Sequence, residues 1–280
     1  MHVRFHPSAA DFAAVAAPVY HRDPVLHTVE LSLLRGGPLP GRGAPLLVTV
    51  WGSAGLVGAT MATPPFPLLC NGLPAPAIPV VAGELHSWNV RLSGVRGRRP
   101  VALDFSQRWS AHTGCPQTIH TEERLYRLGA LDVPARVRGT ARLSEPGDTE
   151  LLIDWQCAFA AEAFGDTPDR SQAAAALQSA AAGGAVHLLW TVDGAPVSLA
   201  TVRRPAVGVS RIGPVFTPVA QRGHGYGSAV TAAACRWAAS AGASEVVLFT
   251  DLANPTSNAV YQRIGFQPVV DTVHVSFSAT

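Results

Sequence analysis

From residue 138 onward, apolar and polar positions alternate and cluster as a succession of short strands and helices. RGTARLS (138–144) has the period of two expected of a strand. EPGDTELLIDWQCAFAAEAF (145–164) places Leu152, Trp155, Phe159 and Ala163 on one helical face, with Asp148 positioned to cap it. DRSQAAAALQSAAAGG (169–184) is an alanine-rich helix closed by glycine. In VHLLWTVDGAPVSLATVRRP (186–205), Asp193-Gly194 separates two apolar runs, which predicts a hairpin. A strand over 207–219, a helix over 227–243 and the uninterrupted apolar strand SEVVLFTD (244–251) follow; a helix over 254–265 and a strand over 266–278 end the series. Strand, two helices, three strands, helix, strand, helix and strand predict a mixed α/β domain.

The first half carries a fainter version of the same order. APLLVTVWGSAGLVGATMATPP (44–65) is a hairpin around Gly52-Ser53-Ala54-Gly55, with Thr60 near the place of Thr201 and a proline ending both runs. Helical spacings at 8–18, 22–34, 76–88 and 98–112 and strands near 90–95 and 117–128 fit an internal repeat. The expected domains are 1–137 and 138–280, joined through GALDVPARV with its Pro134. Charge separates the halves too: up to residue 140 there are 13 Arg against 8 Asp plus Glu, beyond it 8 against 11.

Composition narrows the function. A 48% apolar, 14% charged chain of 280 residues is globular, and a net charge of +2 argues against nucleic acid as a partner. All basic residues other than histidine are arginine, so a catalytic or phosphate-binding lysine is excluded. The cysteines (70, 115, 157, 235) form no CxxC pair and imply no metal or disulfide framework. No apolar run approaches the ~20 residues of a membrane span, and the N-terminus lacks a basic-then-apolar leader. These features predict a cytoplasmic monomer or homodimer with no membrane partner.

The chemistry concentrates in QRGHGYGSAV (221–230). A glycine-rich turn between strand and helix lets backbone N–H groups converge on an anion at the positive end of the helix. Gly223, Gly225 and Gly227 remove obstructing side chains, and Arg222 is suited to a phosphate oxygen. A Walker A loop fails for want of lysine, and the spacing is wrong for a dinucleotide fingerprint late in its domain.

Arg222-Gly223-His224-Gly225-Tyr226-Gly227, preceded by IGPVFTP and followed by VVLFTDLANPTSNAVYQRIGFQPV (246–269) with Tyr261, Gly265 and Phe266, resembles the GNAT superfamily of acyl-CoA-dependent N-acyltransferases. The resemblance covers 138–280 and implies a tandem of two GNAT-like domains, each a central twisted, mostly antiparallel sheet flanked by helices. The first copy looks degenerate: SGVRGRRP (93–100) is its nearest loop candidate and lacks the triple glycine.

The resemblance further implies acetyl-CoA as co-substrate, no metal, and transfer to a small-molecule primary amine in a ternary complex. It assigns a bulged strand around Val215, Phe216 and Thr217, consistent with Pro214 and Pro218, to the acyl and pantetheine arm. Arg222 through Gly227 and Ser228 go to the pyrophosphate, and Asn254, Ser257 and Asn258 to the pantetheine. Tyr261 is the expected general acid. Base candidates are Glu162 and Asp251, with His187 and His224 as residues titrating near neutrality. The alternatives are a module that binds acyl-CoA without turnover, another acyl-CoA, or a peptide N-terminus as acceptor.

Overall fold

The computed structural model of the protein describes residues 1–35, 43–165 and 169–278. Its elements are β1 (His2–Phe5), α1 (Ala9–Tyr20), α2 (Thr28–Leu34), β2 (Leu46–Gly52), β3 (Gly55–Ala62), β4 (Leu68–Leu69), α3 (Ile78–Ser87), β5 (Gly94–Arg98), α4 (Arg99–Thr113) and β6 (Gln117–Leu128). The same order then recurs as β7 (Thr140–Leu143), α5 (Thr149–Phe164), α6 (Arg170–Ala182), β8 (Val186–Val192), β9 (Ala195–Val202), β10 (Val209–Phe216), α7 (Tyr226–Ser240), β11 (Glu245–Asp251), α8 (Pro255–Arg263) and β12 (Phe266–Phe277). Both hairpins also carry a register shift near the turn, between Val50 and Trp51 in one and between Trp190 and Thr191 in the other.

Spatial contacts do not follow this repeat along the chain. One unit comprises Met1–Leu125, Thr250–Asn254 and Pro268–Thr280; the other comprises Tyr126–Phe249 and Pro255–Gln267. The boundary expected at 137/138 follows the chain, whereas these units exchange their closing strands. Residues 268–277 of β12 belong to the first unit, and residues 126–128 of β6 belong to the second.

In the first unit the strand order is β1-β2-β3-β4-β5-β12-β6, with β4 and β5 parallel. Thr272 to Ser276 of β12 pair antiparallel with Arg98 to Gly94 of β5. The face bearing Val48, Val50, Val95, Val273 and Val275 packs under α3 and α4 through Val81, Leu85, Phe105 and Trp109. Helix α1 packs on β2 and β3. Two expectations change here. The helix anticipated over 22–34 is confined to α2, because the Asp23 carboxylate accepts from Leu26 N–H and holds the preceding residues in a turn. The 93–100 segment is no loop: it is β5 running directly into α4.

In the second unit the order is β11-β10-β9-β8-β7, antiparallel except for the parallel β10–β11 pair. Strand alternation sends Leu188, Trp190, Ala200, Val202 and Ile212 toward α7 and sends Leu189, Leu199 and Phe216 toward Leu152 and Trp155 of α5. Asp193 and Gly194, both at positive φ, make the predicted hairpin turn. Asp148 does not cap α5 with its side chain. It accepts from Glu145 N–H and from Arg142, and the Arg142 hydrogen bonds hold its carboxyl down at about 2. Among the described residues no helix is long and apolar enough to cross a membrane.

Gly265 joins α8 to β12 at φ +103, where a Cβ would run into the Ala130 carbonyl oxygen, while Gly223 has φ +84 and open space around it. Urea denaturation should therefore show Gly265→Ala destabilising by about 3 kcal/mol and Gly223→Ala by about 1 kcal/mol. Equal losses would mean that the backbone approach at Ala130 imposes nothing.

Candidate functional site

The site begins with an interruption in β10. Parallel pairing with β11 runs from Val209↔Glu245 to Ile212↔Leu248, while pairing with β9 resumes at Val215↔Ala200 after a register shift. The irregularity is Gly213-Pro214: Gly213 sits at φ +145, and proline has no N–H for the ladder. The bulge expected from sequence is thus present. Beyond it, the fully buried Ser198 hydroxyl donates to the Phe216 carbonyl oxygen at 3.1 Å and lies 2.9 Å from Thr217 Oγ1, fixing the strand end. Phe216 is core, packed on Trp155 at 6.0 Å, and Val215 is half-buried beside the α7 cluster. Their side chains are structural, which leaves backbone groups as what this segment can offer a ligand.

The chain then turns through residues 219–221 into the glycines. Gly223 and Gly225 both take left-handed φ, +84 and +79, which side-chain-bearing residues adopt only at a cost. Gly225 is the N-cap of α7 and provides no side-chain cap. The first hydrogen bond of the helix is Ala229 N–H to Gly225 C=O at 3.0 Å. Among the described residues the N–H groups of Tyr226, Gly227 and Ser228 therefore have no acceptor, at the positive end of a 15-residue helix. A Cβ on Gly225 would press on Val137 at 3.2 Å, and one on Gly227 would reach Thr217 Oγ1 at 3.4 Å.

Arg222 is anchored beside this helix end, where it adds a second positive group facing any anion held there. Its Nε donates to Thr217 C=O at 2.9 Å and one terminal nitrogen to Glu162 Oε2 at 2.5 Å. Both side chains remain nearly half exposed, 47% and 44%, so the pair contributes at most about 1 kcal/mol and is easily surrendered to a better anion. Glu162 thus stands beside the loop cation. His224 is exposed and stacks on Tyr226 at 5.3 Å, whereas the Tyr226 ring is buried in the core and offers only its N–H. His187 is half-buried with Nδ1 at 2.9 Å from Thr201 Oγ1, and burial, with Arg203 nearby, lowers its pKa.

Helix α8 carries the remaining residues of this unit. Tyr261 packs edge-on against Phe266 at 6.0 Å, and burial raises its phenol to about 12. Among the described residues its hydroxyl has no hydrogen-bond partner, so a protonated phenol is held with its proton available. Asn258 accepts at Oδ1 from the Tyr126 hydroxyl at 2.9 Å, and Gln262 donates to the same hydroxyl at 3.0 Å. Ser257 lies in the first turn of α8. Asp251 and Asn254 fall in the other unit, where Asp251 Oδ1 accepts from Ala253 N–H and the Asp251 carbonyl accepts from Asn254 N–H.

Val215, Phe216, Thr217, Glu162, Arg222 to Ser228, Ser257, Asn258 and Tyr261 accordingly all belong to one unit. Sequence reasoning missed Ser198, Val137 and Tyr126. Ser198 alone had a readable signal, a hydroxyl on the inward face of an apolar strand. Among the described residues no group of three or more His, Cys, Asp or Glu side chains is placed to hold a metal ion.

Residues 149–266 match the profile of the Acetyltransferase (GNAT) family. Comparison with curated protein sequences returns no match. Among solved structures, the chain is similar to an acetyltransferase from the GNAT family of Colwellia psychrerythraea, at 12% identity, 100% coverage of both chains and a TM-score of 0.63. A GCN5-related N-acetyltransferase from Sphaerobacter thermophilus gives 18% identity, 98% and 95% coverage and 0.60. A tandem GNAT protein from the clavulanic acid biosynthesis pathway gives 14%, 100% and 99% coverage, and 0.59. The bulged strand, the glycine loop and the uncapped helix thus lie within the stretch that matches the Acetyltransferase (GNAT) family, in a chain whose fold is that of a tandem GNAT protein.

Proposed function

We propose that residues 138–280 transfer an acetyl group from acetyl-CoA to the primary amine of a small molecule, by direct attack within a ternary complex, and that residues 1–137 are a degenerate copy that takes no acyl-CoA. The observation carrying this reading is the α7 N-terminus: three N–H groups without acceptors, glycines in place of a capping side chain, and Arg222 alongside. That arrangement suits a pyrophosphate. The corresponding segment of the first unit, CNGLPAPA (70–77), has one glycine and two prolines, which supports one acyl-CoA site per chain. Calorimetric titration with acetyl-CoA should give one site per chain, with desulfo-CoA as the unreactive comparison. An absence of binding would overturn the reading.

In the reaction the amine nitrogen bonds to the thioester carbon, the C–S bond breaks, and the departing thiolate needs a proton. Tyr261, kept protonated by its raised pKa, supplies it. The oxyanion is stabilised by a backbone N–H at the β10 bulge. An alkylammonium of pKa ~10 loses its proton at pH 7 at a cost of about 4 kcal/mol. Glu162 stands at Arg222, beside the loop proposed for the pyrophosphate and not at the β10 bulge, and Asp251 closes its own turn, so the amine gives its proton to water before attack.

Tyr261→Phe should lower kcat by about 100-fold or more, leaving the acetyl-CoA Kd unchanged; an unaltered turnover would remove Tyr261 from the reaction. The pH profile of kcat/KM should rise about tenfold per unit toward the amine pKa. It should show no falling limb from Tyr261 below about pH 11, since the acid form is lost only as pH passes its pKa of about 12. A plateau near pH 7 would instead indicate a protein base.

Arg222→Ala should weaken desulfo-CoA binding roughly tenfold, and adding Gly225→Val should abolish it with the fold retained. Glu162→Gln should leave kcat within about twofold and tighten CoA binding slightly, as expected for removing an exposed competitor. A collapse of kcat in that variant would make Glu162 the base.

A further inference from the structure

Outside the candidate site, the first unit holds a cavity of about 910 Å³, within the roughly 300–1,000 Å³ typical of small-molecule sites. Its walls include Phe66, Trp109 and Phe277, with Trp109 and Phe277 rings 6.2 Å apart. His86, Arg91 and Cys115 add polar groups, and His86 stacks on His112 at 5.6 Å. Among the described residues, none lining the cavity is Asp or Glu, and Arg91 makes no ion pair or hydrogen bond. Apolar aromatic walls accommodate a ring, and an unpaired guanidinium with no carboxylate among the described lining residues favours a ligand whose polar group is an anion.

Its position excludes a relic of the acyl-CoA cleft. Ser93 precedes β5 and His86 lies in the last turn of α3, so the cavity sits at the starting end of β5. The segment at 70–77, in the chain position of the glycine loop, follows the finishing end of β4. Because β4 and β5 are parallel, these are opposite ends of the strands.

We propose that this cavity is a second ligand site, for a small aromatic anion whose ring lies among Phe66, Trp109 and Phe277 and whose carboxylate or sulfonate pairs with Arg91. The probe is 8-anilinonaphthalene-1-sulfonate, with uncharged N-phenyl-1-naphthylamine for comparison, titrated by fluorescence into the full chain. One saturable site is expected for the anion, weakened roughly tenfold in Arg91→Gln and also weakened in Phe66→Ala. Both residues are exposed, so neither substitution threatens folding. Bound anion should also slow alkylation of Cys115 and leave Cys157, equally half-buried but in the other unit, unaffected. No saturable binding, equal affinity for charged and neutral probes, indifference to Arg91→Gln, or unprotected Cys115 would each overturn the proposal.

Discussion

The loss of pairing between β10 and β11 beyond Ile212↔Leu248 is the constraint on which the site depends. A proline inside a strand withholds a donor, and the neighbouring glycine takes a φ that other residues avoid. Yet β10 does not stop there, because β9 continues to hold it at Val215 and Phe216 and Ser198 ties down its last carbonyl. The strand is therefore released on one edge and clamped on the other. That clamp also fixes Thr217, whose carbonyl holds Arg222, so the bulge sets where the loop cation and the α7 N-terminus stand. A backbone defect and a charged loop, twelve residues apart at their outer limits of 213 and 225, are thus linked by hydrogen bonds through Phe216 and Thr217.

Much of this was legible because it is local. Asp193-Gly194 specifies its turn from its own torsional preferences, and Gly223, Gly225 and Gly227 announce a bare backbone whatever surrounds them. The order of elements followed from periodicity, since a period of two or 3.6 belongs to the segment itself. Partner choice does not. The alternation in 266–277 identified a strand without revealing that most of it would pair with β5, and the Asn258 partner, Tyr126, lies 132 residues away in the sequence.

The misreading of 93–100 has a physical reason. Gly94 and Gly97 resemble loop residues, but a Cβ at Gly94 would meet the Val275 carbonyl oxygen and one at Gly97 the Cys70 sulfur. Glycine serves close packing there, not a turn. Glu162 illustrates the opposite case: a carboxylate on the last turn of a helix is unremarkable in sequence, and only the fold sets it against Arg222. Sequence indicates which groups are available for chemistry, while their neighbours determine whether they are free to act.

The exchanged closing strands bear on how such a chain can change over time. Each spatial unit is completed by a segment encoded in the other half of the sequence, residues 126–128 in one case and 268–277 in the other. A deletion that removed the half without a glycine loop would also remove part of the unit that has one. Loss of either half of the sequence would leave both units incomplete, so selection for one site holds residues of both halves in place.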